Sequence, residues 1–487
     1  MTELVQRPKA AGHYSLVSLL AISVLATFFI SCAVGPNYRR PALNSPAVFR
    51  GAGAASQQAS FADLAWWEVY KDDTLKDLVK TAMANNYDIR LAAARIEQER
   101  EIVAQTRALY FPNVNYLTTL TYGKNQFQYS PSSNTKYPEG FLASLALATW
   151  EVDIWGRIRR SNEAARAQYL ASYEVRRGVM LSVMCDVSES YLTILGLQLQ
   201  LNIARQAEQA FGGIRKLFEE RFQGGDASKL PVSRAAADEA EVAGQIPELE
   251  RQIAVTEDQI SLLLGQNPGS IETRAKLLIE TPPPEVPAGL PSALLERRPD
   301  ILSAAQRVHS ASAGIGVAKA AFFPQFGLTA LFGKISQPLS DVTSGHTNAW
   351  SVGTNFAGPL FEGGKLVAQK REAIAVWQEA TLQYQQTALS AFRDVSNALI
   401  SREKYAEIRA KQTRAVEEND TGVQLALKRY RQGFASYLEV LDAQERLYPT
   451  QVALAETELN QRLVIVQLYK ALGGGWKLSD EQWMNAK

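Results

Sequence analysis

Along residues 73–280 the hydrophobic positions change period three times, and the same changes recur along residues 292–475. The first stretch is helical. Leu75, Leu78, Val79, Ala82, Ile89, Ala92, Ala93 and Ile96 fall on one face of a helix. The pattern predicts that this helix runs on to Phe111-Pro112, because proline pushes the residue before it out of the helical region. Pro112 is thus the expected helix-to-strand break. Two alternating runs then predict a β-hairpin at about 113–153. Val114, Tyr116, Thr118, Leu120 and Tyr122 share one face of the first run. In the second, Phe141, Leu145 and Leu147 oppose Leu142, Trp150 and Val152.

The third stretch, 157–222, contains no proline and reads as one long helix of roughly 100 Å at about 1.5 Å per residue. A Gly224-Gly225 turn and a return helix at 229–264 complete the set. Ile246, Leu249, Ile253, Ile260 and Leu263 give the return helix a heptad seam, which belongs to coiled-coil packing. The second set predicts a helix up to the break at Pro324, a hairpin at about 325–360, a long helix at 365–430 and a return helix at 437–472. In that hairpin Phe326, Leu328, Ala330 and Phe332 form one face of one strand, and Trp350, Val352, Thr354 and Phe356 one face of the other.

The recurrence is a duplication. Tyr87-Asp88-Ile89, Arg95 and Phe111-Pro112 return 212 positions later as Pro299-Asp300-Ile301, Arg307 and Phe323-Pro324. Asp186-Val187-Ser188 returns 208 positions later as Asp394-Val395-Ser396. At that same offset Arg221…Gly225…Ser228 becomes Arg429…Gly433…Ser436, and Leu264-Gly265 becomes Leu472-Gly473. Register kept over so long a stretch marks a repeated structural unit. A proline-rich linker at 281–291 joins the two copies, and residues 476–487 form a C-terminal tail.

Composition narrows the functions available. The 51 basic and 50 acidic side chains nearly cancel, which gives no electrostatic case for a nucleic-acid partner. Three histidines and two cysteines argue against a His/Cys metal centre. No nucleophile–base set, phosphate loop or metal spacing appears, so an enzyme is the least favoured class. Residues 1–31 read as a signal peptide, with Arg7 and Lys9 ahead of the apolar stretch Leu16 to Ile30. The stretch ends at Ser31-Cys32, the pattern of a bacterial lipoprotein signal. Cys32 is then the acylated residue, its N-acyl and S-diacylglycerol chains the only covalent group expected, and 32–72 an extended lipidated segment. No other cofactor and no metal are expected. Cys185 reads as a small apolar core residue.

Alternating runs of about ten residues with aromatic ends fit membrane β-strands as well as any half-buried hairpin. Four strands cannot close a barrel, since the smallest membrane barrels need about eight. If the hairpins are embedded, open edges are not tolerated in lipid, and several chains must share one barrel. Three chains supply twelve strands, with the long helices forming a tube below. The fold class expected is an internally duplicated α+β membrane protein, with four β-strands and long α-helices per protomer.

The run Cys32-Ala-Val-Gly-Pro-Asn-Tyr-Arg-Arg-Pro41 resembles the mature start of the NodT/OprM branch of TolC-like outer-membrane factors. Trp66-Trp67, Arg297-Arg298-Pro299-Asp300-Ile301, Phe322-Phe323-Pro324, Tyr430-Arg431-Gln432-Gly433 and Leu441-Asp442-Ala443-Gln444 extend the resemblance over 32 to about 475. It implies a homotrimer: a twelve-stranded β-barrel in outer-membrane lipid joined to a periplasmic α-helical barrel. It also implies a tripartite efflux pump, with a periplasmic adaptor and an inner-membrane transporter of RND, MFS or ABC type.

Two sites follow. Gly225 and Gly433 can reverse the chain with positive φ, and Ser228 and Ser436 can cap the return helices. By resemblance these tips face the adaptor. Glu439 and Asp442 stand three apart on one helix face, and the resemblance makes them an acidic periplasmic gate with Tyr430 beside them. Favourable placement in the first turn of a helix dipole explains both acids equally well. The family carries a basic residue where Ala435 stands, and Arg431 is the candidate replacement. The other readings open from sequence are a duct for type I protein secretion and a non-conducting coiled-coil lipoprotein.

Overall fold

The computed structural model describes residues 33–51, 63–65, 68, 72–122, 140–273, 291–336, 348–475, 478 and 482. The signal peptide, Cys32, Trp66-Trp67 and most of the 281–291 linker and 476–487 tail lie outside them. The helices are α1 (Asp73–Asn85), α2 (Tyr87–Ala108), α3 (Arg157–Gln223), α4 (Lys229–Leu263), α5 (Pro299–Ala320), α6 (Lys365–Arg431) and α7 (Tyr437–Ala471). A single helical turn, Pro291–Leu294, precedes α5. The strands are β1 (Asn113–Tyr122), β2 (Gly140–Val152), β3 (Gln325–Ser336) and β4 (Asn348–Ala357). They divide between two units. One holds residues 1–41, 97–171 and 305–382; the other holds 42–96, 172–304 and 383–487.

The first unit is built on one antiparallel sheet in the order β1-β2-β3-β4. Its register puts the apolar columns of all four strands on one face. Tyr116 pairs with Ala146, Ala146 with Phe332 and Phe332 with Trp350. On the other face Asn113 pairs with Thr149, Thr149 with Thr329 and Thr329 with Gly353. Tyr116 is 89% exposed and Trp350 75% exposed, so no described residue covers the aromatic face there. The pairing of β2 with β3 joins the two repeats, and β1 and β4 are left as edges.

In the second unit α3 and α4 pack as an antiparallel pair. Leu197, Leu201, Ala204, Ala207, Phe211, Ile214 and Phe218 of α3 are buried at spacings of three or four residues. They meet Leu249, Val242 and Ala235 of α4 in succession. That spacing is the 3.5-residue period of a supercoiled seam.

The first helix is not continuous, which corrects the expectation from hydrophobic period. It breaks at Asn86. The Asn86 N–H donates to Ala82 O at 2.8 Å and closes α1, while Oδ1 accepts from the N–H groups of Asp88 (2.9 Å) and Ile89 (3.2 Å) and opens α2. Nδ2 donates to Leu263 O at the end of α4, at 2.9 Å. A residue that closes one helix with its backbone, opens a second with its side chain and holds a third leaves no trace in the hydrophobic spacing. α2 also stops at Ala108, short of Pro112, and β1 starts one residue after that proline.

The second copy uses arginine in the same place. Arg298 is the counterpart of Asn86, and its Nη1 donates to Ala471 O (3.3 Å), the counterpart of Leu263 O. Its other nitrogens pair with Asp300 (2.9 Å) and with Asp394 on α6 (3.0 Å). The first-copy counterpart of Asp394 is Asp186, which pairs with Lys470 at 3.2 Å.

Candidate functional site

The turns that join each long helix to its return helix are chemically the most differentiated part of the duplication. Both are built alike. After α3, Asp226 N–H donates to Arg221 O (3.0 Å) and Gly225 N–H to Phe222 O (3.1 Å). After α6, Phe434 N–H donates to Arg429 O (2.9 Å) and Gly433 N–H to Tyr430 O (3.0 Å). This is the Schellman arrangement, which needs a left-handed residue just past the helix. Gly225 and Gly433 supply it, each at φ +81°.

The return helices start differently. Ser436 precedes α7, and its N–H donates to Glu439 Oε1 at 3.2 Å, the reciprocal half of a capping box. Ser228 precedes α4 with its backbone extended, but its side chain makes no capping bond. Pro231, three residues on, has neither an N–H to donate nor a carboxyl to reach back, so the reciprocal box cannot form there. The cap expected at Ser228 is therefore corrected, and only the second turn carries a box. Glu439→Ala should loosen the start of α7 by about 1 kcal/mol. Faster amide exchange at 437–441, with the start of α4 unchanged, checks it.

Tyr430 is buried, in a cluster with Ile214, Phe218, Ala235, Val440 and Leu441. Phe218 meets its ring edge-on at a centroid distance of 5.3 Å. The Arg221 guanidinium lies over the ring at 4.4 Å, and Arg221 Nη2 donates to Tyr430 O at 3.3 Å. So the basic group beside this tyrosine comes from the first turn. Arg431, the candidate for the basic gate residue in place of Ala435, lines an open groove of about 390 Å³ with Gln206, Asp420, Gln444 and Gln451. The counterparts behave otherwise. Arg429 folds over its own turn, donating to Phe434 O at 3.1 Å, and Phe222 is exposed.

Glu439 and Asp442 are both exposed, on the same side of α7. Glu439 lies 3.9 Å from Arg429, and Asp442 accepts from Arg446 at 3.0 Å. The charge pattern is inverted between the copies. Asp442 and Arg446 on α7 correspond to Arg234 and Asp238 on α4. Sequence reasoning singled out Asp442 but missed its carboxylate neighbours. Burial pushes the Glu445 carboxyl up, helped by the negative charges of Asp238 and Asp442. Burial also pushes Asp238 up, helped by Glu241. Asp238 Oδ2 is buried without a hydrogen-bond partner among the described residues. Acidification protonates both groups more readily in the folded chain than in the unfolded one, so a falling pH relieves this cluster. The signal for it was available as an acidic face on two paired helices, readable only once the pairing of α4 with α7 is known. Among the described residues no group of His, Cys and carboxylate side chains is placed to hold a metal ion.

The strand–helix breaks lie in the first unit. Pro112 and Pro324 each stand one residue before a strand, and Trp155 Nε1 donates to Pro324 O at 2.7 Å. Cys32 lies outside the described residues.

The chain matches the family model described as outer membrane efflux protein over residues 78–266 and 290–474, one match per repeat. It is 32% identical over 453 residues to the solvent efflux pump outer membrane protein SrpC of Pseudomonas putida, covering 92% of this chain and 96% of that one. It is 31% identical over 452 residues to the outer membrane protein OprJ of Pseudomonas aeruginosa, covering 92% and 93%. Among solved structures the outer-membrane channel OprN superimposes with a TM-score of 0.82 at 30% identity, covering 91% of this chain and all of that one.

Proposed function

The chain belongs to the outer membrane efflux protein family, and from that premise we propose that three copies assemble into a passive duct working with an adaptor and a pump. It is an outer-membrane protein that reaches into the periplasm and serves efflux. The observation that carries the trimer is the open sheet. Its four strands have two unpaired edges and one apolar, aromatic face. Lipid demands that both edges be paired. β1 and β4 run in opposite directions, so β1 of a second copy meets β4 antiparallel and continues the alternation. Three copies give twelve strands, above the minimum of about eight for a membrane barrel.

Transport and not catalysis is the work of this chain. Its periplasmic adaptor docks on the turns around Gly225, Ser228, Gly433 and Ser436. The inner-membrane transporter behind it is of RND, MFS or ABC type and sets the substrate. Small apolar molecules are the cargo class, as the names of the solvent-exporting relatives suggest. Cys32 carries the acyl anchor. In a trimer Asp442 and Glu439 become rings of three carboxylates at the periplasmic end, where like charges attract cations. Tyr430 and Arg221 hold the turn that carries them.

Deletion of the gene tests the efflux reading. Cells lacking the protein should tolerate lower concentrations of apolar solvents and antimicrobials, and the cloned gene should restore tolerance. Unchanged tolerance together with loss of a secreted protein would favour the secretion duct instead.

A further inference from the structure

Nine residues that belong to neither repeat, Ala33 to Pro41, are fastened to the first unit without being helix or strand. Val34 N–H donates to Trp155 O at 3.0 Å. Arg160, only 4% exposed, gathers the next contacts. Its Nη2 donates to Asn37 Oδ1 at 2.8 Å, its Nε points at Val34 O at 3.4 Å, and its Nη1 donates to Glu163 Oε2 at 2.7 Å. The other Glu163 oxygen lies 3.0 Å from His309 Nε2. The His309 ring stacks on Tyr38 with centroids 4.3 Å apart and planes 14° from parallel. Tyr38 Oη donates to Ala305 O at 3.2 Å.

Sterics set the path as closely as the polar contacts do. Gly35 has φ +110°, and a Cβ there would lie 2.5 Å from Gly316 Cα. A Cβ on Gly316 would lie 2.8 Å from Arg160 Cγ and 2.9 Å from Val34 O. Real Cβ atoms do not approach so closely, so the strap and α5 meet backbone to backbone. At the start of the strap, Ala33 packs on Gly156, where a Cβ would lie 2.6 Å from Ala33 Cα. Gly156 sits between the end of β2 and the start of α3, beside Trp155, whose ring stacks on Phe323 at 4.6 Å.

We propose that Ala33 to Pro41 is a docked positioning strap, seated by Arg160, Glu163, His309 and Gly316, that fixes where the chain leaves its anchor residue. One peptide separates Ala33 from Cys32, at most about 3.8 Å between Cα atoms. Ala33, the residue that follows the proposed anchor, lies at the strand–helix junction, against Gly156 and next to Trp155. Tryptophan is enriched at membrane–water boundaries, so this is the level at which acyl chains can enter lipid without pulling on the fold. The consequence for the anchor rests on acylation of Cys32; the dock itself does not. Two groups hold the Glu163 carboxyl: burial alone would raise its pKa, but the His309 and Arg160 hydrogen bonds outweigh it and hold it low.

Hydrogen exchange on the full chain in detergent tests this. In the wild type the Val34 amide, which donates to Trp155 O, should exchange at least about 100-fold slower than in a free peptide of residues 33–41. Arg160→Met and the milder His309→Ala should each speed exchange there about tenfold or more, leaving α4 and α7 unchanged. Arg160→Lys should restore part of the protection. Cys32→Ser should keep it, because protein groups and not lipid hold the strap. Free-peptide exchange in the wild type, unaltered protection in both Arg160→Met and His309→Ala, or protection lost in Cys32→Ser alone would each overturn the proposal. The mass of the mature chain reports acylation separately, so a missing lipid and a missing dock are told apart.

Discussion

Tyr430→Ala should release both helical turns at once, with amide exchange around 214–223 and 428–441 rising about 100-fold. The size follows from what the ring does. Truncating a buried aromatic costs about 3–5 kcal/mol, and about 1.4 kcal/mol is a tenfold change in an opening equilibrium. Tyr430 is 6% exposed and packs on Phe218. It also carries the Arg221 guanidinium, a contact worth roughly 0.5–2 kcal/mol. The duplication supplies its own control. Phe222 occupies the same place in the first turn but is 42% exposed, so Phe222→Ala should change little. Equal effects from the two substitutions would mean that the turns are not joined through Tyr430.

Arg298→Met is the second large effect. Arg298 is where the start of α5, the middle of α6 and the end of α7 meet, through Asp300, Asp394 and Ala471 O. Its side chain is 14% exposed, so the loss strands a carbonyl and weakens the hold on a carboxylate in a largely dry site. Breaking buried pairs costs about 3–5 kcal/mol, and the partial exposure of Asp394 and its second partner Arg393 bring the expectation here to about 2–3 kcal/mol. Asn86→Ala removes the smaller version of the same joint, one neutral bond to Leu263 O and a cap, and should cost about 1–2 kcal/mol. Exchange rates at 299–305 and 468–472 against those at 87–92 and 260–264 rank the two. A larger loss at Asn86 would contradict this account of the joint.

The long helices were legible because proline-free length and heptad spacing are local properties. The strands were legible because alternation is local too, and the apolar columns drawn from single strands share a face once paired. What escaped was set by partners far along the chain. Asn86 divides a helix because its side chain is held by Leu263, 177 positions away. The pairing of β2 with β3 has no local signature at all. The box of the second turn is readable from Glu439, and its absence from the first turn from Pro231, each three residues past the serine. Arg221 could not be matched to Tyr430 from spacing, since 209 positions separate them. The carboxylates Asp238, Glu241 and Asp442 gather around Glu445 only through the contact of α4 with α7. The residues proposed for a gate thus divide by kind. Glu439 and Asp442 are exposed, each beside an arginine, while Tyr430 is buried in the cluster at the base of the turn.

Single-channel recording from the purified protein in planar bilayers tests the central claim, that three copies enclose a water-filled duct through the outer membrane. The account predicts discrete conductance steps with a preference for cations, and Asp442→Ala should lower that preference or raise the open fraction. Absence of any conductance from correctly folded protein, in the wild type and in Asp442→Ala alike, would contradict it.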